Sequence, residues 1–396
     1  MRAILRGRFV VDSLRGVNSD TGVVVDDGII IDVGKFSDVS TNAGKEDVRE
    51  FDGIICPALI NAHTHLELSS FRNGQFRHSD FVDWVIKLVN ARLSMLNVDV
   101  VPDCRKAKKE AEELGTGFFV NVGNDLALNR SLGDNQLFAF EQIGINESSS
   151  GKIFARSSEA VSAENRVRTA LAVHAPYSVS PSLMKDIKSY NNLRGSVTSI
   201  HLSETSDELE FVMSGTGRMT DLLNQRVGKW QFNPAGMSPV EYVDSLGLLD
   251  NRTLCVHCVF TDERDMDIIS RRGSAVAVCV RSNRELSGHV PPVGKFLQKG
   301  IRVVIGTDSR ASSPDLDMFS EIAAYYSEFH SVVTPEQVFR SATYDAAQFL
   351  GVANAFGSIS AGATAALVYV PFDGRGEEAL EYLAAGAQGK TTKVNL

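Results

Sequence analysis

The chain has 396 residues, of which 43% are hydrophobic and 22% charged, as is ordinary for a globular protein. This length can bury a large core, and it fits either one large barrel with an appendage or about two or three smaller domains. A formal net charge of −9 argues against a general nucleic-acid or anionic-membrane surface, because both need clustered Lys and Arg.

Cysteine usage and the first residues predict a cytoplasmic location. The odd count of 5 cysteines shows no regular framework and fits a reducing compartment. The start, "MRAILRGRFVVDSLRG", has a short apolar run that charges interrupt, so it predicts a first strand and not a signal peptide. We find no apolar run long enough to span a bilayer.

Both ends of the chain are rich in β-forming residues. Near the start, "TGVVVDDGIIIDVGKF" places a "DDG" turn between two Val/Ile runs, which indicates a hairpin. Near the end, "GSISAGATAALVYVPF" resumes this β character. We expect the two ends to pair in a small β-sandwich, with domain divisions at 1–56, 57–354 and 355–396.

The middle of the chain alternates short apolar runs with helical patterns, which is typical of parallel βαβ units. One of these helical patterns, "TPEQVFRSATYDAAQFLG", opens with a capping box at Thr334 and ends at Gly351. Eight runs predict an α/β fold of the (β/α)₈ TIM-barrel type. They are "GIICPALINAHTH", "TGFFVNVG", "QLFAFEQIG", "TALAVHAPYS", "SVTSIHLSE", "TLCVHCVF", "SAVAVCVRSN" and "RVVIGTDS".

The first of these runs ends in two histidines, His63 and His65. Residues i and i+2 of a strand point to the same side, so the two imidazoles project together and can share one divalent cation. A lone His-x-His pair is weak evidence, and further ligands are needed from other strand ends. "CVHC" is interpreted differently: Cys255 and Cys258 lie three apart in an apolar strand, which favours two small buried side chains.

Further polar residues end the other runs, where the chemistry of such a barrel lies. They are His174, His201, Glu204, His257, Arg281 to Asn283, and Asp308. Three imidazoles and one carboxylate, from His63, His65, His201 and Asp308, form a set suited to zinc or iron, with manganese as an alternative. Glu204 and His257 remain as proton-handling groups beside the metal.

The motifs "NAHTH", "HLSE", "VHCV", "RSN" and "GTDS", in that order, resemble the amidohydrolase superfamily over nearly the whole chain. The nearer likeness is to its mononuclear deaminase branch, with methylthioadenosine/S-adenosylhomocysteine and aminodeoxyfutalosine deaminases and the triazine hydrolases. The longer "NAHTHLELS" and "HAPYSVSP" favour the members that act on purine nucleosides.

The resemblance implies a role for each matching residue. His63, His65, His201 and Asp308 would hold the metal, and Asp308 would also accept a proton from the attacking water. Glu204 would be the proton shuttle, His257 would position the water, and His174 would touch the substrate. The runs around His174 and His201 offer no lysine of the kind that bridges two metals, so one divalent metal is expected, with zinc favoured. "GATAALVYV" departs from the family pattern because it lacks the usual acidic residue before that strand.

The predicted function is hydrolytic release of ammonia from a nucleoside-like aminopurine of the aminodeoxyfutalosine, S-adenosylhomocysteine or adenosine type. The enzymatic alternative is hydrolysis of a cyclic amide, an amidine or an s-triazine bond, and the non-enzymatic one is an inactive structural relative. The expected partner is a small molecule, with no nucleic acid or membrane, and a homo-oligomer is left open. Arg281 and Arg310 are predicted to meet a carboxylate of the substrate. The other candidate substrate-binding residues are Glu67, Trp84, Glu141, His174 and Tyr177.

Overall fold

Two sheets organise the chain in the computed structural model, which describes residues 2–43, 47–165, 167–227, 230, 232–233 and 236–395, the side chains of 42 and 43 excepted. The strands are β1 (Arg2–Asp12), β2 (Gly16–Ser19), β3 (Thr21–Asp26), β4 (Ile29–Lys35), β5 (Asp47–Pro57), β6 (Leu59–Thr64), β7 (Thr116–Gly123), β8 (Gln136–Gln142), β9 (Arg168–Val173), β10 (Thr198–Leu202), β11 (Thr253–His257), β12 (Ala275–Val278), β13 (Arg302–Ile305), β14 (Leu367–Pro371) and β15 (Thr392–Lys393).

Helices follow or separate most of these strands. They are α1 (Phe36–Ala43), α2 (Phe81–Ser94), α3 (Val101–Glu113), α4 (Leu126–Arg130), α5 (Glu147–Ser162), α6 (Pro181–Arg194), α7 (Ser206–Ser214), α8 (Arg218–Arg226), α9 (Pro239–Ser245), α10 (Glu263–Arg272), α11 (Val280–Ser287), α12 (Val293–Gln298), α13 (Met318–Phe329), α14 (Pro335–Ser341), α15 (Tyr344–Phe349) and α16 (Ala379–Ala385), with short 3₁₀ turns at Leu66–Leu68 and Gly376–Glu378. No helix of the described ranges has the length and apolarity needed to cross a bilayer.

The strands β6 to β13 lie side by side in chain order and pair in parallel. The first and last of them meet where the Asp308 N–H donates to the His63 carbonyl at 3.0 Å. This approach needs a glycine, because a Cβ on Gly306 would lie 2.7 Å from the His63 nitrogen. All eight predicted runs contain a barrel strand, and the (β/α)₈ prediction is confirmed.

The two ends of the chain share the second sheet, as predicted. It has seven strands in the order β15-β14-β5-β1-β3-β4, with β2 paired to β1. The C-terminal β14 runs antiparallel to β5, and Val370 pairs with Ile54. Valines and isoleucines from both ends, such as Val23, Ile55 and Ile359, form one buried apolar cluster. This domain is therefore held together by contacts between residues hundreds of positions apart in sequence.

The helix predicted from Thr334 to Gly351 is wrong as a single element. Its capping box at Thr334 is present, but it is divided into α14 and α15. The Ala342 carbonyl accepts from the backbone N–H of Ile60 in β6 at 2.7 Å, so it is taken by a barrel strand. At the break, the Thr343 hydroxyl donates to the Phe339 carbonyl at 2.6 Å. A tertiary contact that the helical pattern does not encode therefore interrupts the helix.

Candidate active site

Five histidines lie at the ends of barrel strands or directly after them. His63 and His65 come from the end of β6, His201 from β10 and His257 from the end of β11, while His174 directly follows β9. Because the carboxyl ends of parallel strands share one rim, these rings converge. The His63 ring centre is 4.9 Å from that of His65 and 5.0 Å from that of His201.

Donor atoms from the predicted ligand set lie close to one another. Nε2 of His65 lies 3.3 Å from Nε2 of His201. The Oδ1 atom of Asp308 is 3.7 Å from Nε2 of His63 and 3.7 Å from Nε2 of His65. Zinc–nitrogen bonds of about 2.0–2.1 Å in a tetrahedron place neighbouring donors about 3.3 Å apart, so these spacings fit a single small cation.

The protonation states of these groups also suit a metal. Both ring nitrogens of His63 are buried without a hydrogen-bond partner among the described residues. Burial lowers the pKa of His201 to about 4, with His63 and His174 adding to the effect, so this ring is neutral at pH 7. For Asp308, burial acts to raise the pKa, but the imidazoles of His63 and His65 outweigh it and hold the pKa well below its usual range. Neutral imidazoles and an ionised carboxylate are the forms that coordinate a metal.

Outer hydrogen bonds aim the ligands. The Nδ1–H of His201 donates to the His174 carbonyl at 2.8 Å, which leaves Nε2 with its lone pair toward the other donors. Oδ2 of Asp308 accepts from the hydroxyls of Ser282 at 2.6 Å and Ser312 at 2.8 Å, so Oδ1 remains free to face the histidines. Sequence reasoning noted the "RSN" motif that contains Ser282, but assigned no role to either serine.

Glu204 and His257 face each other beside this point. Nε2 of His257 is 3.4 Å from Oε1 of Glu204, and the Asn283 amide donates to Nδ1 of His257 at 2.9 Å. That amide contact leaves the ring proton on Nε2, toward Glu204. Burial, with the charges of Asp308 and Glu208, raises the pKa of Glu204 well above its usual range. A buried carboxyl with a raised pKa holds its proton more tightly and is suited to act as a general acid.

The backbone is strained at these strand ends. Among the described residues other than glycine, six have a positive φ, and four of them lie here: Ser203 (φ 52°), His257 (φ 76°), Cys258 (φ 50°) and Asp308 (φ 58°). A positive φ is uncommon for residues other than glycine, and such conformations cluster at functional sites when the surrounding structure enforces them. The strain therefore marks the same rim as the side-chain chemistry.

A cavity of about 170 Å³ is lined by three of the candidate ligands, His65, His201 and Asp308. One wall is apolar and includes Trp84 and Leu88 of α2 and Leu286 of α11. His174, Tyr177 and Glu141, three of the residues predicted to bind substrate, also line it. A larger cavity of about 660 Å³ lies elsewhere, between Gly115 to Phe118 and the stretch from Thr364 to Val368, and contains none of the candidate site residues.

The three remaining predicted residues lie outside the lining of the active-site cavity as described. Arg281 pairs with Glu321 at 2.6 Å and with Asp315 at 2.7 Å. Arg310 lies 3.3 Å from Glu110. Their positions therefore do not support the carboxylate-binding role that the sequence suggested for the two arginines. Glu67 instead pairs with Arg92 at 2.8 Å, and Arg92 does line the cavity.

The barrel, with its histidine and aspartate cluster, defines the class of metal-dependent hydrolases built on (β/α)₈ barrels. The family model "Amidohydrolase family" matches residues 54–393, and the chain belongs to that family.

Known proteins similar to this chain include several deaminases. A protein of Syntrophobacter fumaroxidans named 5-methylthioadenosine/S-adenosylhomocysteine deaminase is 29% identical over 81% of this chain and 72% of its own length. A 5'-deoxyadenosine deaminase of Methanothermobacter thermautotrophicus is 26% identical over 76% of this chain and 69% of its own. The crystal structure of Helicobacter pylori aminofutalosine deaminase with methylthio-coformycin has a TM-score of 0.85, covers 99% of this chain and 100% of that chain, and is 23% identical.

Proposed function

We propose that this protein is a metal-dependent deaminase. It hydrolyses the bond between a ring carbon and the exocyclic amino group of an adenosine-type nucleoside, and releases ammonia. The observation that carries the proposal is that three of the four proposed ligands and a separate Glu204–His257 pair line one cavity. The fourth ligand, His63, is buried beside them, with its Nε2 atom 3.7 Å from Oδ1 of Asp308. A site that only stored a metal would have no use for that pair. The names of the two relatives described above, both deaminases of adenosine-like compounds, support the same reaction class.

The proposed ligands are His63, His65, His201 and Asp308. Zinc is the proposed metal, since a set of three imidazole nitrogens and one carboxylate oxygen suits it. When bound, the metal supplies Lewis acidity that lowers the pKa of the attacking water.

Proton transfers by this chain's own residues complete the proposed reaction. As water attacks the ring carbon that bears the amino group, Glu204 protonates the adjacent ring nitrogen, and Asp308 accepts the proton that the water loses. His257 donates through Nε2–H to the oxygen that attacks and stabilises the developing charge. Asp308 then passes its proton to the amino nitrogen, the carbon–nitrogen bond breaks and ammonia leaves. The hydroxyl proton passes to Glu204, which forms the ring carbonyl and restores both carboxyl groups to their starting states.

The reaction is tested by ammonia release from metal-loaded protein across adenosine, 5-methylthioadenosine, 5'-deoxyadenosine, cytosine, guanine and s-triazines. Adenosine-type nucleosides should be deaminated at least about a hundredfold more efficiently than the other compounds, because a site built to hydrogen-bond one substrate discriminates strongly against compounds that leave its polar groups unpaired. A preference for s-triazines or cyclic amides would favour the alternative hydrolase function.

We make two further proposals, on the location of the protein and on its domain boundaries. We propose a cytoplasmic location, which is supported by five free, buried cysteines. We also propose the domain divisions at 1–56, 57–354 and 355–396. Pairing of Leu367 with Pro57 at the end of β5 supports a boundary close to the first of them.

A further inference from the structure

The barrel closes between β13 and β6 without a regular backbone ladder. Neighbouring strands from β6 to β13 are joined by parallel pairing, whereas no such pairing joins β13 back to β6 in the part of the chain that the structure describes. The proposed metal ligands His63 and His65 lie on one side of this junction, and Asp308 lies on the other. Side chains must therefore help to keep these ligands in register.

Asn61 spans the junction with its side-chain amide. Its Oδ1 accepts from the backbone N–H of Thr307 at 3.1 Å, across the junction, and from that of His63 at 3.4 Å in its own strand. Its Nδ2 donates to the Thr307 hydroxyl at 2.8 Å. Asn61 and Thr307 are fully buried. Because two backbone donors require an oxygen at that end of the amide, the orientation of the Asn61 side chain is fixed.

The same network reaches the backbone of Asp308. The Thr307 hydroxyl, which accepts from Asn61, donates to the Asp308 carbonyl at 3.1 Å. The Thr64 hydroxyl of β6 donates to that same carbonyl at 2.9 Å. Asp308 has a left-handed φ of 58°, a conformation that persists only where surrounding contacts enforce it. The two hydroxyls therefore hold the backbone whose conformation aims the Asp308 carboxylate.

We infer that Asn61 is a positioning residue for the metal centre. Through Thr307 it ties the strand that carries His63 to Asp308, and so it fixes the separation of ligands from the first and last barrel strands. Both lone pairs of its oxygen are occupied by backbone N–H groups, which leaves Asn61 no means of binding the metal itself. The inference rests on the proposed metal-dependent deaminase and concerns the same site.

The alternative is that the Asn61 amide only contributes to stability, and Asn191 provides a matched comparison. Asn191 is also fully buried, and its amide also joins two barrel strands. It accepts from the Leu171 N–H at 3.0 Å in β9, and it donates to the Leu171 carbonyl at 2.7 Å and to the Thr198 hydroxyl at 3.0 Å. Thr198 is the first residue of β10, at the end opposite the proposed ligands. Loss of either amide should destabilise the protein, but only loss of Asn61 should disturb the metal centre.

The test measures zinc affinity by competition with a chelator in the wild-type protein, Asn61→Ala and Asn191→Ala. Affinity should fall about tenfold to a hundredfold in Asn61→Ala, as is typical when a residue that orients metal ligands is lost. Asn191→Ala should bind zinc as tightly as the wild-type protein, although thermal unfolding should show both variants to be less stable. The visible absorption of the cobalt-substituted proteins reports ligand geometry, and it should change in Asn61→Ala alone.

Thr64→Val provides a second test, which also serves if Asn61→Ala does not fold. It removes one hydroxyl from the same network and keeps the branched shape of the side chain. The Asp308 carbonyl then keeps one of its two hydroxyl donors. We expect zinc affinity to fall by about tenfold, at the lower end of the range for such residues.

Three results would overturn the inference. One is an unchanged zinc affinity and cobalt spectrum in Asn61→Ala. Another is an equal loss of zinc affinity in Asn61→Ala and Asn191→Ala, which would reduce both amides to a general role in stability. The third is an unchanged zinc affinity in Thr64→Val.

These measurements need no turnover, so they separate the inference from the proposed reaction. If zinc affinity depends on Asn61 but no nucleoside releases ammonia, the Asn61 assignment holds and the deaminase proposal fails. If ammonia is released and zinc affinity does not depend on Asn61, the deaminase proposal holds and the Asn61 assignment fails.

Discussion

Glu204 is buried and does not belong to the candidate ligand set. Its role in proton transfer can therefore be tested separately from metal binding. In Glu204→Gln the shape is kept but no proton can be delivered. We expect the variant to retain its metal and to lose about 10²–10⁴ in turnover. Elemental analysis and ammonia release on the same preparation check both parts. His63→Ala should behave differently and lose the metal as well. Loss of metal from Glu204→Gln would place that carboxylate among the ligands.

Glu208 is a second buried carboxylate, and sequence reasoning missed it. It lies in the first turn of α7, yet its oxygens accept from the backbone N–H groups of Ser203 and Glu204, each at 2.9 Å. These two bonds hold the chain where Ser203 has its left-handed φ of 52°. The carboxylate therefore positions Glu204 through its backbone. The only signal in the sequence is an acidic residue four positions after Glu204.

Replacing Glu208 tests that positioning role. In Glu208→Gln one amide hydrogen must face a backbone N–H, so at least one of the two bonds is lost. We expect kcat to fall about tenfold to a hundredfold while KM and metal content change little. Glu210→Gln, on an exposed position of the same helix, should change none of these quantities. A normal kcat in Glu208→Gln would show that Glu204 is held by other contacts.

At the scale of elements, the junction of β6 and β13 both closes the barrel and places ligands from its first and last strands. A methyl group at position 306 would lie 2.7 Å from the His63 nitrogen and 2.8 Å from its carbonyl oxygen. Both are backbone atoms, so the strands must separate. We expect Gly306→Ala to destabilise the protein by about 1–3 kcal/mol and to weaken metal binding through the shift of His63.

Gly151 provides the matched control for that substitution. It lies inside α5, and a Cβ there would meet nothing within 4 Å. Gly151→Ala should therefore raise stability by about 0.5–1 kcal/mol, because alanine is favoured over glycine in a helix. Thermal unfolding and metal titration of both variants measure the contrast. Equal stability of Gly306→Ala and Gly151→Ala would contradict this expectation. It would mean that β6 and β13 can move apart to accommodate the added methyl group at little cost in free energy.

At the scale of the whole molecule, the candidate donors overlap in one centre. Three groups of described residues could hold a metal, and any two of them share one histidine, which is His63, His65 or His201. The groups therefore overlap and favour a single ion. We expect about one equivalent of metal per chain, and unfolding at a lower temperature after chelation, because the ion binds the folded state only. Two tightly held ions per chain, or full activity without any, would contradict the single-metal proposal.

Short-range rules made much of this molecule predictable from its sequence. Alternation along a strand puts His63 and His65 on one side, and parallel strands bring their carboxyl ends to one rim. For that reason, correct strand assignment was enough to predict that four further residues approach the same point. They are His201, Asp308, Glu204 and His257. The eight apolar runs supplied that assignment, since strands buried on both faces leave continuous hydrophobic stretches.

Contacts between segments distant in sequence determined the features that the sequence did not predict. Arg281 and Arg310 follow the last two barrel strands as expected, but acidic side chains from α13 and α3 neutralise them. Arg92 reaches the cavity because α2 packs over the strand ends, and no local pattern records that packing. The division between α14 and α15 likewise depends on β6. Strand faces follow from neighbouring residues in the chain, whereas the aim of a long side chain from a loop or helix depends on which partner the folded chain brings to it.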